Sequence, residues 1–375
     1  MAQQQRKNPL VDKAPGLENV KHLVAVSSCK GGVGKSTVAV NLAAALHQSG
    51  ARVGLFDADV YGPSLPTLVR PENRELYSRN DLILPLEFRG LKLMSFGYVP
   101  TQSGSGGPAI LRGPMVTQII NQLLTGTDWG ELDYLIIDMP PGTGDVQLTL
   151  TQLIPLTAAV IVTTPQELSF VDVVKGIQMF GTLQVPTISV IENMAYFLCD
   201  GCGKKHYLFG QGVRQRLSEQ FGIKNTFEIP LAPDVARMCD DGTPVVFDAP
   251  DDPITQTFHA IAASAVEEIQ RLKAGGAGAP SVRFVIGRGI VVTWSCGREQ
   301  EIAPVRLRQA CRCANCVEET TGKPLLDPNT IPEDIYPEEI HSMGNYAVAI
   351  NWSDGHDSSI YPYEQIAQLD SSEGS

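Results

Sequence analysis

The chain has 375 residues, 43% hydrophobic and 19% charged, enough to bury two globular cores. Its formal net charge is −12, from 41 acidic against 29 basic residues, which argues against non-specific binding to nucleic acid or to an anionic membrane. No apolar run reaches the ~20 residues of a membrane-spanning helix.

Residues 1–20 are polar, lack an apolar signal region and contain Asp12 and Glu18, unlike an acid-poor transit peptide. They read as a flexible leader, with the cytoplasm as the expected compartment. His22 to Ser28 then reads as a buried strand, and Val38, Leu42, Ala45 and Leu46 are spaced as one face of a helix. Between them lies Cys29-Lys30-Gly31-Gly32-Val33-Gly34-Lys35-Ser36-Thr37. A strand, a glycine-rich loop, Lys-Ser and a helix form the context of a phosphate-binding loop. Its backbone N–H groups can curl around phosphate oxygens, and the helix N-terminus adds partial positive charge. Lys35 is expected to reach the outer phosphates of ATP, and the Ser36 hydroxyl to ligate Mg²⁺. Cys29 stands before the second lysine, Lys30; a small residue in an ordinary backbone conformation is expected there.

Arg52 to Phe56 is the next strand and ends in Asp57-Ala58-Asp59. Carboxylates at a strand's C-terminal end sit where α/β folds bind ligands. Asp59 is the candidate for orienting the attacking water, and Asp57 for the outer shell of Mg²⁺. Leu82 to Phe88 and Leu91 to Phe96 read as an antiparallel excursion around Arg89-Gly90, and Gly104 to Gly107 as a loop. Val116, Ile119, Ile120, Leu123 and Leu124 mark a helix. Tyr134 to Ile137 ends in Asp138, followed by the Pro- and Gly-rich turn Met139 to Asp145. A strand-terminal Asp of this kind serves the nucleotide-bound Mg²⁺, and such a turn can act as a switch. Ala158 to Val162 and Thr187 to Ile191 are further strands, with a helix around Val171 to Phe180. The alternation predicts a doubly wound α/β domain with a mostly parallel sheet over residues 21–273.

Asn193 is a candidate for reading the adenine edge, with Pro230 and Leu231 packing on the ring. Cys199-Asp200-Gly201-Cys202 follows in a loop. Two thiols are half of a four-thiolate site, and a symmetric dimer would pool four around a [4Fe–4S] cluster. Zinc held with His206, a redox dithiol, or a plain surface loop are the alternatives. Helices are expected over Gly210 to Phe221 and Asp252 to Lys273. The Gly/Ala-rich stretch 274–281 is the linker, leaving a small β-rich domain over 282–370 and a tail, 371–375. Trp294-Ser295-Cys296-Gly297 and Trp352-Ser353-Asp354-Gly355 read as equivalent turns. Cys311, Cys313, Cys316 and His356 can form a closed Cys₃His set suited to structural zinc; His341 is the other available imidazole.

The Lys30–Lys35 pair resembles the deviant Walker A loop of dimerising ATPases of the Min, Par, Mrp and nitrogenase iron-protein class. That resemblance implies that Lys30 crosses a dimer interface to the partner's nucleotide. Together with Asp57 to Ser64, Asp138 to Asp145, Glu192 to Tyr196 and Cys199 to Cys202, the first domain is similar to Mrp- and ApbC-type phosphate-loop carriers of iron–sulfur clusters. Phe56 to Pro66 and Trp129 to Leu150 are nearest the plastid high-chlorophyll-fluorescence branch. The last domain resembles the N-terminal domain of γ-butyrobetaine hydroxylases, in which a Cys-x-Cys-x-x-Cys and a later His hold zinc. The resemblance implies an ATPase that receives a [4Fe–4S] cluster from a donor scaffold and transfers it to client apoproteins; it does not carry a plastid location with it, and the expected compartment stays the cytoplasm, with the plastid stroma the alternative if a transit peptide has been removed. A departure is Asp200-Gly201, where many relatives carry a proline. Two other readings are a positioning ATPase, which predicts a basic patch or amphipathic tail, and an ATP-driven iron–sulfur reductase, whose cluster cysteines are usually far apart in sequence.

Overall fold

A computed structural model describes residues 14–100, 113–142, 145–183, 185–273, 280–313, 315–318, 323–343, 346–357 and 359–369. The first domain runs β1 (Val20–Ser27), α1 (Lys35–Gln48), β2 (Val53–Asp57), α2 (Leu65–Leu68), the small hairpin β3 (Ser78–Arg79) and β4 (Leu82–Ile83), β5 (Leu86–Phe88), β6 (Leu91–Ser95), α3 (Gly113–Thr125), β7 (Leu132–Asp138), α4 (Asp145–Leu153), β8 (Ala158–Thr163), α5 (Glu167–Thr182) and β9 (Thr187–Glu192). It continues through β10 (Phe197–Leu198), β11 (Lys205–His206), α6 (Val213–Phe221), β12 (Thr226–Glu228), α7 (Pro233–Asp241), α8 (Val245–Asp248) and α9 (Pro253–Lys273). Eight strands form one sheet in the order β12-β9-β8-β1-β7-β2-β6-β5, parallel except for β5 against β6.

The two-residue period of the strands explains the double winding. Val24, Val26 and Ile136 face one core with Leu42, Phe258 and Ile261 of α1 and α9. Leu23, Ala25, Leu135 and Ile137 face the other, with Ile120, Phe170, Ile177 and Leu217 of α3, α5 and α6. Both faces are covered, so the central strands read as continuous apolar runs. Arg89 and Gly90 turn the β5–β6 hairpin with φ of 46° and 89°.

Residues 14–20 correct the expectation of a leader extending to 20. Ala14 and Leu17 are buried, and the Gly16 N–H donates to Thr125 O at 3.2 Å. Apolar residues spaced three apart lock this segment against the end of α3. Residues 1–13, the expected loop Gly104 to Gly107, Thr143 and Gly144 of the switch turn, most of the linker (274–279) and the tail lie outside the described residues.

After the linker come two antiparallel three-stranded sheets: β13 (Ser281–Val285), β14 (Gly289–Thr293) and β15 (Glu299–Ile302), then β16 (Pro337–Met343), β17 (Ala347–Trp352) and β18 (Ser359–Pro362). Helix α10 (Pro304–Gln309) links them, and α11 (Tyr363–Gln368) follows. Ile290, Val292, Leu307, Ile350, Trp352 and Tyr361 form their common core. Met343, Tyr346 and Ala347 instead belong to the core shared with α5 and α6, so the β-rich region is docked on the sheet domain.

Candidate functional site

The strands β1, β7 and β2 lie side by side and end at one rim. Asp57 and Asp138 are register partners across the β2–β7 pair, and Val26 is opposite Asp138 on the other side. The sheet therefore places two carboxylates beside the loop that follows β1. In that loop Gly32 and Gly34 have φ of 77° and 81°, a region that only glycine enters freely. Cys29 is not among the residues with positive φ, as expected of an ordinary conformation. Its sulfur is lodged against Gly176 of α5, and burial pushes its thiol up to about 12.

A cleft of about 420 Å³ opens over the loop, lined by Lys30, Gly31, Gly32, Gly34, Lys35, Ser36 and Thr37 on one side and Asp59, Ser64 and Pro141 on the other. Lys35 is buried and its ammonium pairs with the Asp138 carboxylate; it also reaches Ser36 Oγ at 3.4 Å. Burial holds Asp138 above the usual carboxylate range, and Lys35 opposes that shift. Asp57 is pushed up to about 7, first by burial and then by the charge of Asp138. Its oxygens accept from the N–H groups of Asp59 (3.0 Å), Ser64 (3.0 Å) and Leu65 (3.1 Å) and from Ser95 Oγ (3.0 Å). Asp57 therefore shapes the turn that carries Asp59 into the cleft. Asp59 Oδ1 caps the Gly62 N–H at 3.1 Å. Ser36, Asp57 and Asp138 also line one small recess below the cleft, whose other walls, Val40, Leu55, Leu65 and Leu68, are apolar. Lys30 donates from Nζ to Gln166 Oε1 of its own chain at 3.2 Å, at the start of α5.

Asn193 differs most from expectation. It is buried behind the loop, and its Nδ2 donates to Val33 O at 2.9 Å. A Cβ on Gly34 would stand 2.2 Å from that nitrogen. The Nδ2 of the amide expected at adenine thus braces the phosphate loop. Pro230 is half-buried and Leu231 36% exposed at the end of β12, outside the cleft lining. Sequence reasoning missed both Asn193's partner and Gln166, because no local spacing links residues 33 and 193 or 30 and 166.

Cys199 and Cys202 sit in the turn of the β10–β11 hairpin. Cys199 N donates to Lys204 O at 3.0 Å and Gly203 N to Cys199 O at 2.8 Å, closing the turn. The N–H groups of Cys202 and Gly201, and then the Cys202 thiol, hold Cys199 below the usual thiol range. Cys202 is exposed. Lys205 Nζ lies 3.9 Å from the centre of the Tyr196 ring, and Leu231 N donates to Tyr196 O at 2.8 Å, rooting the hairpin beside β12. Leu198, Tyr207, Leu208 and Phe209 around it are exposed. His206 pairs with Phe197 in the hairpin and joins no metal-ligating group among the described residues.

Cys311, Cys313, Cys316 and His356 do converge, with their ligand atoms all within 4.8 Å of one another. His356 Nε2 stands 3.4, 3.4 and 3.7 Å from the three sulfurs. A tetrahedral ion with metal–sulfur bonds of about 2.3 Å and metal–nitrogen bonds of about 2.0–2.1 Å sets these edges near ~3.6 Å. The spacing fits a single ion; the thiolates of a cluster, bound to separate irons, stand farther apart. His341 is elsewhere, paired with Glu339 at 3.0 Å.

A family profile described as the NUBPL iron-transfer P-loop NTPase matches residues 19–266, and one described as γ-butyrobetaine hydroxylase-like, N-terminal, matches 286–367. The chloroplastic Fe-S cluster assembly factor HCF101 of rice (Oryza sativa subsp. japonica) is 50% identical over 357 residues, 95% of this chain. The chain spans 66% of that relative's length. The iron-sulfur cluster carrier protein of Aquifex aeolicus is 47% identical over 251 residues, 67% of this chain and 68% of the carrier. Among solved structures, an Archaeoglobus fulgidus nucleotide-binding protein in complex with ADP is 36% identical, with a TM-score of 0.57 over 65% of this chain and 94% of that one. No helix of the described residues is long and apolar enough to cross a membrane.

Proposed function

The chain belongs to the NUBPL iron-transfer P-loop NTPase family, and from that premise we propose that it is an ATP-dependent carrier of iron–sulfur clusters, which binds a [4Fe–4S] cluster on Cys199 and Cys202 and passes it to apoproteins. What carries the reading is the path along the chain from nucleotide to thiols. Asn193 braces the loop at Val33, and Cys199 follows only six residues later (199 against 193). In this reading a shift of the loop on binding or losing phosphate would pass through Asn193 toward the hairpin.

In this reading the loop N–H groups and Lys35 take the phosphates of ATP, so Lys35 exchanges its pairing with Asp138 for phosphate oxygens. Asp59, at the cleft wall, orients the attacking water. Mg²⁺ would be held by the Ser36 hydroxyl with Asp57 and Asp138 beyond it, and would neutralise phosphate charge. Lys30 leaves Gln166 to reach a partner's nucleotide across a homodimer. Two thiols per chain are half of a four-thiolate set, so pairing supplies the rest. A donor scaffold loads the cluster, and client apoproteins receive it. The Cys311/Cys313/Cys316/His356 set holds one structural zinc ion, whose binding can add ~10–16 kcal/mol of folding free energy to a small domain.

Anaerobic reconstitution followed by Mössbauer and absorption spectroscopy tests the cluster site. Wild type is expected to take up iron and sulfide as a [4Fe–4S] centre, and Cys199→Ala/Cys202→Ala to take up almost none. Equal uptake by both would place the cluster elsewhere. A positioning ATPase would instead show hydrolysis stimulated by lipid or DNA.

A further inference from the structure

Arg308 lies in the last turn of α10, three residues before Cys311, and is only 5% exposed. A guanidinium this deep is costly unless every charge near it is placed to meet it. Its Nη1 donates to Cys316 Sγ at 3.3 Å, and its Nε donates to Asp354 Oδ2 at 2.9 Å. The other oxygen of that carboxylate, Oδ1, accepts the His356 N–H at 3.0 Å. The Arg308 carbonyl accepts the Cys311 N–H at 3.2 Å. One residue thus connects to three of the four ligand positions: Cys311 through the backbone, Cys316 through its sulfur, and His356 through Asp354.

Charge completes the argument. Three thiolates and a neutral imidazole around a divalent ion leave one negative charge in excess, in a site where Cys311 and Cys316 are buried. The guanidinium puts a positive charge at the Cys316 sulfur, and Asp354, its other partner, balances that charge beside the His356 turn, so the ion pair orders the site by geometry and local charge rather than by neutralising it. Its planar group presents Nη1 to sulfur and Nε to carboxylate at a fixed spacing, which the single nitrogen of an ammonium does not fix.

We infer that Arg308 is the positioning residue and charged sulfur donor of the Cys311/Cys313/Cys316/His356 site, holding Cys316 and the His356 turn in place for one divalent ion. The inference rests on the one-ion reading of those four ligands, and its test separates the two. The probes are Zn²⁺ and Co²⁺ themselves, bound to the full chain stripped of metal under reducing conditions. Zinc affinity is read by competition with a chromogenic chelator, and thiolate character by the sulfur-to-cobalt charge-transfer band. Wild type is expected to bind one zinc at this site. Arg308→Gln is expected to bind it ten- to a hundredfold more weakly, the usual effect of losing an outer-shell partner. Its cobalt band should move to longer wavelength, because a sulfur without its donor gives up charge more easily. Arg308→Lys restores the charge but not the fixed spacing, so it should fall between the two in affinity. Wild-type affinity and an unmoved band in Arg308→Gln overturn the inference. If that variant does not fold, Arg308→Lys decides, and wild-type behaviour in both readouts there overturns it equally. A wild-type chain that binds no zinc with these four ligands ends the one-ion reading, and the role of Arg308 with it.

Discussion

Cys199 is the residue whose chemistry depends most on backbone geometry. The N–H groups of Cys202 and Gly201 point at its sulfur because Cys199 and Gly203 close a tight turn, with Gly203 at φ 67°. Hydrogen bonds to a thiolate favour the charged form, so the folded metal-free protein carries thiolate at Cys199 at a pH where a free cysteine is still protonated. Alkylation of the metal-free chain by iodoacetamide, followed by mass spectrometry across pH, should give a Cys199 profile with its midpoint below that of the same cysteine in the denatured chain. A midpoint at or above that value would mean that the turn does not stabilise the anion. Lys30, Lys35, Ser36, Asp57, Asp59 and Asp138 are legible in the sequence because each belongs to a strand-end or loop motif only a few residues long. Asn193 with Val33 and Lys30 with Gln166 are not, because a hydrogen bond across 160 or 136 residues leaves no trace in local spacing.

At the scale of elements, α5 spans the space between the phosphate loop and the β-rich region. Gln166 before its first turn holds Lys30, Gly176 in its middle receives Cys29, and Gly181 near its end lies against Met343. A Cβ on Gly176 would stand 2.4 Å from Cys29 Sγ. Gly176→Ala gains up to ~1 kcal/mol of helix propensity but meets an overpacking cost of about 1–3 kcal/mol. Urea unfolding should therefore show net destabilisation, relieved in Cys29→Ala/Gly176→Ala. A stabilised Gly176→Ala would show that sulfur and helix do not press on one another. Long periodic elements such as α9 and β7 are legible from their hydrophobic pattern, and so are the paired turns of the β-rich region. Gly297 N donates to Trp294 O at 2.8 Å and Gly355 N to Trp352 O at 3.0 Å, with φ of 83° and 81°. The two-residue strands β10 and β11 and the short α10 are not legible, because two to six residues hold too few periods to show a repeat. Yet they carry the Cys199 hairpin and Arg308.

For the whole molecule, the sequence predicts two units joined by a linker, and the structure adds the contact between them. Met343, Tyr346 and Ala347 lie in the same core as Phe180 and Leu217, and Lys224 forms an ion pair with Glu364. That contact is invisible in the sequence because those apolar residues read equally well as the interior of the small domain. The exposed Leu198, Tyr207, Leu208 and Phe209 beside Cys202 are, in the proposed reading, covered by a second copy, which brings the other two thiols. The central claim is this pooling of thiols between two chains. Native mass spectrometry of the anaerobically reconstituted protein, with iron and sulfide analysis of the same sample, tests it most directly. The account predicts a dimer carrying about four iron and four sulfide ions per pair of chains at the shared Cys199/Cys202 site, and a cluster-free Cys199→Ala/Cys202→Ala chain. A complete cluster retained on a single chain, or on the double variant, would contradict it.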